Sequence, residues 1–143
     1  MKTSRFIVGF LSALIVALLL SFSIHVLVRY YNHIGLYEDH LISAYGFNFV
    51  IASTIILLLY AFRERLKLQV GFLFMGGSIL KFGLFFIFFY PSYTANGQIE
   101  TSEFTAFFVP YLVSLTTETV FASKMLAILE REDSRKQSGN PVK

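Results

Sequence analysis

Four apolar runs dominate this chain, and each is long enough to cross a bilayer. A helix spanning about 30 Å of hydrocarbon at about 1.5 Å per residue needs roughly 20 predominantly apolar residues. Phe6 to Val28 carries no charge, and its polar residues are His25 and a few serines. Leu41 to Phe62 has Asn48 as its most polar member, Val70 to Tyr90 has only Lys81, and Phe104 to about Leu129 holds Glu118 and Lys124. The pattern predicts an all-α membrane protein: four transmembrane helices in an antiparallel bundle over residues 1–129. A charged cytoplasmic tail follows at 130–143, "EREDSRKQSGNPVK", expected to extend the last helix by a turn or two and then to be partly disordered.

Composition argues against a soluble domain. With 55% hydrophobic and 15% charged residues, the chain lacks the polar shell that such a domain of 143 residues requires. It has no cysteine, so disulfides and thiolate metal sites or nucleophiles are excluded. The net charge of +3 comes from basic residues flanking apolar runs. That is what bilayer insertion asks for, so nucleic acid is not expected as a partner.

The opening "MKTSR" with an apolar stretch and Ser21-Phe22-Ser23 faintly resembles a secretory signal peptide. Because the run continues through "IHVLV", longer than a signal core, a retained membrane helix is expected. Three connections remain: Arg29 to His40, the basic Arg63 to Gln69, and Pro91 to Glu103, where Pro91 and Asn96-Gly97 mark a turn and not an element.

Orientation follows from the cations. Lys2 and Arg5 precede the first run, Arg63, Arg65 and Lys67 lie between the second and third, and Arg131, Arg135, Lys136 and Lys143 follow the fourth. The other two connections hold Arg29 with Glu38, Asp39, Glu100 and Glu103. The positive-inside bias therefore predicts cytoplasmic N and C termini. Tyr30, Tyr31, Tyr37, Tyr90 and Tyr93 are expected at the opposite interface.

Lys81 is eleven residues into a run of 21, near the bilayer midplane, where a lysine costs roughly 2.5–3.5 kcal/mol on insertion scales. Glu118, at similar depth on the neighbouring antiparallel helix, is its expected partner in an intramembrane ion pair. Gly77, Ser78 and Lys81 share one face of the third helix, and Tyr111, Ser114 and Glu118 one face of the fourth, which reads as a polar seam. Gly76 and Gly83 mark an adjacent close-packing stripe, Asn48 is expected to hydrogen-bond across helices, and Pro110 to loosen the fourth helix. Structurally, the ion pair sets helix register; functionally, one member would titrate or meet an ion or a partner subunit, and register is the favoured reading.

His25, His33 and His40 with Glu38 and Asp39 offer metal-ligating atoms, but their spacing fits no metal motif, and no metal or cofactor is expected. Lys124, near the end of its run, can snorkel. No nucleophile elbow, phosphate loop or metalloprotease helix is present, and the loops leave almost no soluble volume for catalysis. The chain is not expected to be an enzyme.

At "GFLFMGGSILKFGLFFIFFYP" and "EFTAFFVPYLVSLTTETV" the sequence resembles a family of small four-span bacterial inner-membrane proteins of unknown function, from about Tyr45 to the end of the fourth run. Its recurring positions match Asn48, Gly71, Phe72, Lys81, Pro110, Tyr111 and Glu118. That family is distantly similar to ATP synthase protein I, a four-span protein with a glycine and then a lysine in its third span, as in Gly77 to Lys81. Protein I commonly has an acidic residue beside that glycine, where this chain has Ser78.

The resemblance implies a bacterial inner-membrane location and an accessory or assembly role, with ATP synthase membrane subunits as suspected partners. The alternative is a small homo-oligomeric ion transporter or channel subunit using Lys81 and Glu118, although no inverted repeat of broken helices supports it.

Overall fold

The computed structural model describes residues 3–139, with side chains from residue 5. Four helices are long and apolar enough to cross a membrane, and among the described residues there is no strand. Helix α1 covers Thr3–Tyr31, α2 Leu41–Phe62, α3 Val70–Phe88 and α5 Thr101–Ser138; α4, Tyr90–Tyr93, is one short turn. A 3₁₀ turn at Lys67–Gln69 leads into α3.

Each long run is helical, and a helix satisfies its own backbone groups, as any run able to cross a membrane must. The ends are set by local chemistry. Helix α1 stops where His33 takes a left-handed φ of 55°. There the His33 amide donates to the Tyr30 carbonyl at 3.2 Å and the Ile34 amide to the Arg29 carbonyl at 3.0 Å. This is the Schellman pattern, with histidine where glycine is usual. At the start of α5 the Glu103 carboxylate accepts the Glu100 amide at 2.8 Å, closing a first turn that begins three residues before the expected Phe104.

The core is a seam between α2 and α5, which α1 covers. Helix α2 buries Ala44, Asn48, Ala52, Ile55 and Leu59 along one stripe, and α5 buries Phe107, Pro110, Ser114, Glu118, Ala122, Met125 and Leu129 along another. Alanines and the serine on these stripes let the backbones approach closely. Helix α1 adds Phe6, Phe10, Leu14 and Leu18; Phe6 stacks on Tyr60 with ring centroids 5.4 Å apart.

Helix α3 is different. Of its nineteen residues only Val70, Lys81 and Phe85 are buried. It lies against α2 and α5 along a narrow line, with Phe72, Met75, Ile79 and Ile87 facing outward.

Several expectations change. Pro91 belongs to an element, since it sits in the first turn of α4, where its missing N–H costs nothing. Tyr93, expected at the interface with its hydroxyl toward water, is buried within the protein. Helix α5 runs unbroken through Pro110 and continues to Ser138; residues 140–143 of the expected tail lie outside the described residues. Gly76 and Gly83 do not pack closely within the chain, because a Cβ at either would meet nothing within 4 Å. Both lie on the uncovered side of α3.

Candidate functional site

Lys81 is the twelfth residue of α3 and Glu118 the eighteenth of α5. The Lys81 Nζ donates to Glu118 Oε2 at 2.8 Å and to Ser114 Oγ at 2.6 Å. The Ser114 hydroxyl in turn donates to the Tyr111 carbonyl, one turn back, at 3.0 Å. The ammonium lies 5.0 Å from the Tyr111 ring centroid, within cation–π range. Lys81, Ser114 and Glu118 are each 0% exposed.

The spacing explains this arrangement. Residues 111, 114 and 118 fall on one face of α5, and a lysine stem is long enough to reach that face from α3. Toward the α4 end the pair is roofed by aromatics. Phe85 and Phe107 lie 4.6 Å apart, Phe89 and Phe107 5.0 Å, and Phe47 and Phe89 5.4 Å. Two acceptors within the buried stripes have no hydrogen-bond partner among the described residues: Glu118 Oε1 and Asn48 Oδ1.

The rest of the expected seam is divided. Ser78 donates to the Phe74 carbonyl of its own helix at 3.1 Å, and the lysine bonds Ser114 and Glu118 instead. Gly77 faces α2, where a Cβ would come within 3.2 Å of Ile55 side-chain carbons, so this glycine permits the α2–α3 approach. Asn48 makes no bond across helices; its Nδ2 donates to the Ala44 carbonyl of its own helix at 2.9 Å. An asparagine on a helix reaches the carbonyl four residues back more easily than a neighbouring helix. Pro110 has no N–H, so the buried Ala106 loses the helical donor to its carbonyl.

A second polar centre, at the end of the bundle that carries α4, did not stand out in the sequence. Arg29, in the last turn of α1, is 2% exposed. Its Nε donates to the Gly35 carbonyl at 2.9 Å and its Nη2 to Asp39 Oδ2 at 2.8 Å. The Tyr93 hydroxyl donates to the Asp39 backbone carbonyl at 2.9 Å, which ties α4 to the same loop. Asp39 and His40 hold left-handed φ of 59° and 53°. Such a conformation costs about 1–2 kcal/mol per non-glycine residue, and it persists because the bonds around Asp39 fix it.

Burial, and then the nearby Asp39 and Glu103 carboxylates, push the Tyr93 hydroxyl well above its ordinary ionisation range. The sequence signal for this centre was Arg29 itself, a lone cation among acidic loop residues.

The histidines do not assemble a metal site. His25 Nδ1 lies 3.2 Å from the Tyr45 hydroxyl, which also bonds Ser21 Oγ at 3.0 Å, so His25 links α1 to α2. Among the described residues no three His, Asp or Glu side chains converge as metal ligands.

The two polar centres lie within the region matched by a family model, that of a family of unknown function termed DUF6168, which covers residues 5–129. No curated protein and no solved structure matches the chain. The matched region takes in α1 to α4 and α5 as far as Leu129. The chain belongs to the DUF6168 family.

Proposed function

We propose that this chain is a multi-pass protein of the bacterial inner membrane, with both termini and the 63–69 connection in the cytoplasm. In this reading it acts without catalysis, as an accessory or assembly factor for a larger membrane complex. The cation bias of the loops supports the orientation, and the four apolar helices support the membrane location. The observation that carries the role is the state of α3. This helix buries only Val70, Lys81 and Phe85, and it leaves Phe72, Met75, Ile79 and Ile87 uncovered. A helix so lightly held, and so open on its outer face, is suited to receiving a partner's helix. ATP synthase membrane subunits are the partner we propose first, on the sequence resemblance to protein I alone.

A second reading is a homo-oligomeric ion transporter or channel subunit. The Glu118 Oε1 atom, buried and without a donor among the described residues, favours it, because such an acceptor has room for an ion, a proton or a water.

Mild cross-linking of the tagged protein in native membranes, affinity purification and mass spectrometry separate the two. Enrichment of one defined complex supports the accessory role and names its client. Recovery of only self-cross-linked species shifts the weight to the transporter, and ion flux in liposomes then decides.

A further inference from the structure

An apolar groove of about 370 Å³ runs between α2 and α3. Its walls include Thr54, Leu58, Phe62, Leu66, Leu73 and Leu80, and Ile55 packed on Gly77 forms part of its floor. Along α2 the lining runs from Ile51 to Phe62, which is about 16 Å of helix. One end opens at Phe62 and Leu66, beside the connection that carries Arg63, Arg65 and Lys67.

These three cations are not equivalent. The Arg63 guanidinium lies 3.9 Å from the Tyr60 ring centroid and donates to the Tyr60 carbonyl at 2.7 Å; Glu64 approaches it at 3.4 Å. Lys67 is paired with Asp133 of α5. Arg65 is exposed and bonds no carboxylate among the described residues. Next to it Leu68 is 95% exposed, an apolar side chain with nothing of its own chain to cover it. An acyl-shaped groove, an unpaired arginine at its mouth and a bare leucine beside them match one kind of molecule.

We infer that this groove holds an acyl chain of an anionic phospholipid whose phosphate rests on Arg65, with Leu68 set into the same leaflet. The chemistry is charge complementarity at the headgroup and apolar fit at the chain. Glu64 is the one carboxylate of the connection, and its proximity to Arg63 leaves Arg65 to the phosphate. The inference rests on the membrane reading given above.

The test uses the full-length protein, extracted in mild detergent, delipidated, and titrated separately with phosphatidylglycerol and phosphatidylcholine under native mass spectrometry. One tightly retained phosphatidylglycerol is expected, with phosphatidylcholine weaker. Arg65→Gln should weaken phosphatidylglycerol about fivefold and phosphatidylcholine, whose choline cation offsets its phosphate, by less. Thr54→Phe, which fills the groove from an exposed position, should weaken both. Equal binding of the two lipids, or no effect of Arg65→Gln, overturns the inference. Because Arg65 is exposed and unpaired, that variant decides the matter even if Thr54→Phe does not fold. Release of the protein from membranes by alkaline carbonate, before any lipid is added, would instead overturn the membrane reading.

Discussion

Lys81 and Glu118, 37 positions apart in the sequence, meet at 2.8 Å with both side chains buried, and Ser114 takes a second hydrogen of the same ammonium. Since α3 buries only two other residues, this contact has an outsized share in holding α3 to the bundle.

Removing one member of the pair leaves a buried charge without its counter-charge. Lys81→Ala or Glu118→Ala should each cost about 3–5 kcal/mol. The double replacement Lys81→Met with Glu118→Leu should cost less than either single change, and the charge swap Lys81→Glu with Glu118→Lys should recover part of the loss. Thermal unfolding in detergent reads all of these. An unchanged midpoint for Lys81→Ala would sink the pairing as an element of stability.

The glycines of α3 should separate cleanly. Gly77→Val must push against Ile55, and overpacking of this sort costs about 1–3 kcal/mol. Gly76→Ala and Gly83→Ala enter open space and should be neutral or stabilising by up to about 1 kcal/mol, since alanine is the better helix former. If Gly83→Ala instead abolishes recovery of a partner while stability is kept, the uncovered face of α3 is the docking face.

Tyr93 makes a prediction about pH. Its hydroxyl is pushed above the ordinary value of 10.0, so the folded state favours the neutral phenol more than the unfolded state does. The stability this confers is full below pH 10.0 and falls as the pH rises above it, because only the unfolded chain ionises there. Unfolding midpoints measured from pH 8 to 11 should therefore decline, and Tyr93→Phe should flatten that decline. The variant also loses the bond to the Asp39 carbonyl, at about 1 kcal/mol.

The left-handed positions can be relieved singly. His33→Gly replaces an exposed side chain at a helix-terminating position and should stabilise by up to about 1 kcal/mol. Asp39→Gly gives similar backbone relief but strips Arg29 of its carboxylate, and should be destabilising by about 1–3 kcal/mol net. Chemical denaturation in detergent micelles distinguishes the two signs.

Helix positions were legible in the sequence because runs of about twenty apolar residues bounded by charged or turn residues locate helices almost without help from propensity. Lys81 and Glu118 stood out for the same reason, as charges whose burial demands a partner. Asn48 and Ser78 were harder. Each has a carbonyl four residues back on its own helix, and composition does not say whether a polar side chain bonds there or across. Gly76, Gly77 and Gly83 look alike in the sequence, yet only Gly77 meets a neighbouring helix, because α3 turns a single narrow face to the bundle. The Arg29–Asp39–Tyr93 centre depends on two consecutive left-handed residues and on contact between connections 54 residues apart, which no local pattern encodes.

At about 1.5 Å per residue, the 38 residues of α5 extend about 57 Å, against about 30 Å of hydrocarbon. From Glu118 to Ser138 the helix contains neither glycine nor proline, and its weak point at Pro110 lies on the far side of the ion pair. In the orientation proposed above, the charged final turns therefore stand outside the hydrocarbon, where Asp133 of α5 pairs with Lys67 at the entry to α3. One long helix thus fastens α3 and its lead-in turn at two levels, through Glu118 at mid-span and through Asp133 about four turns further on.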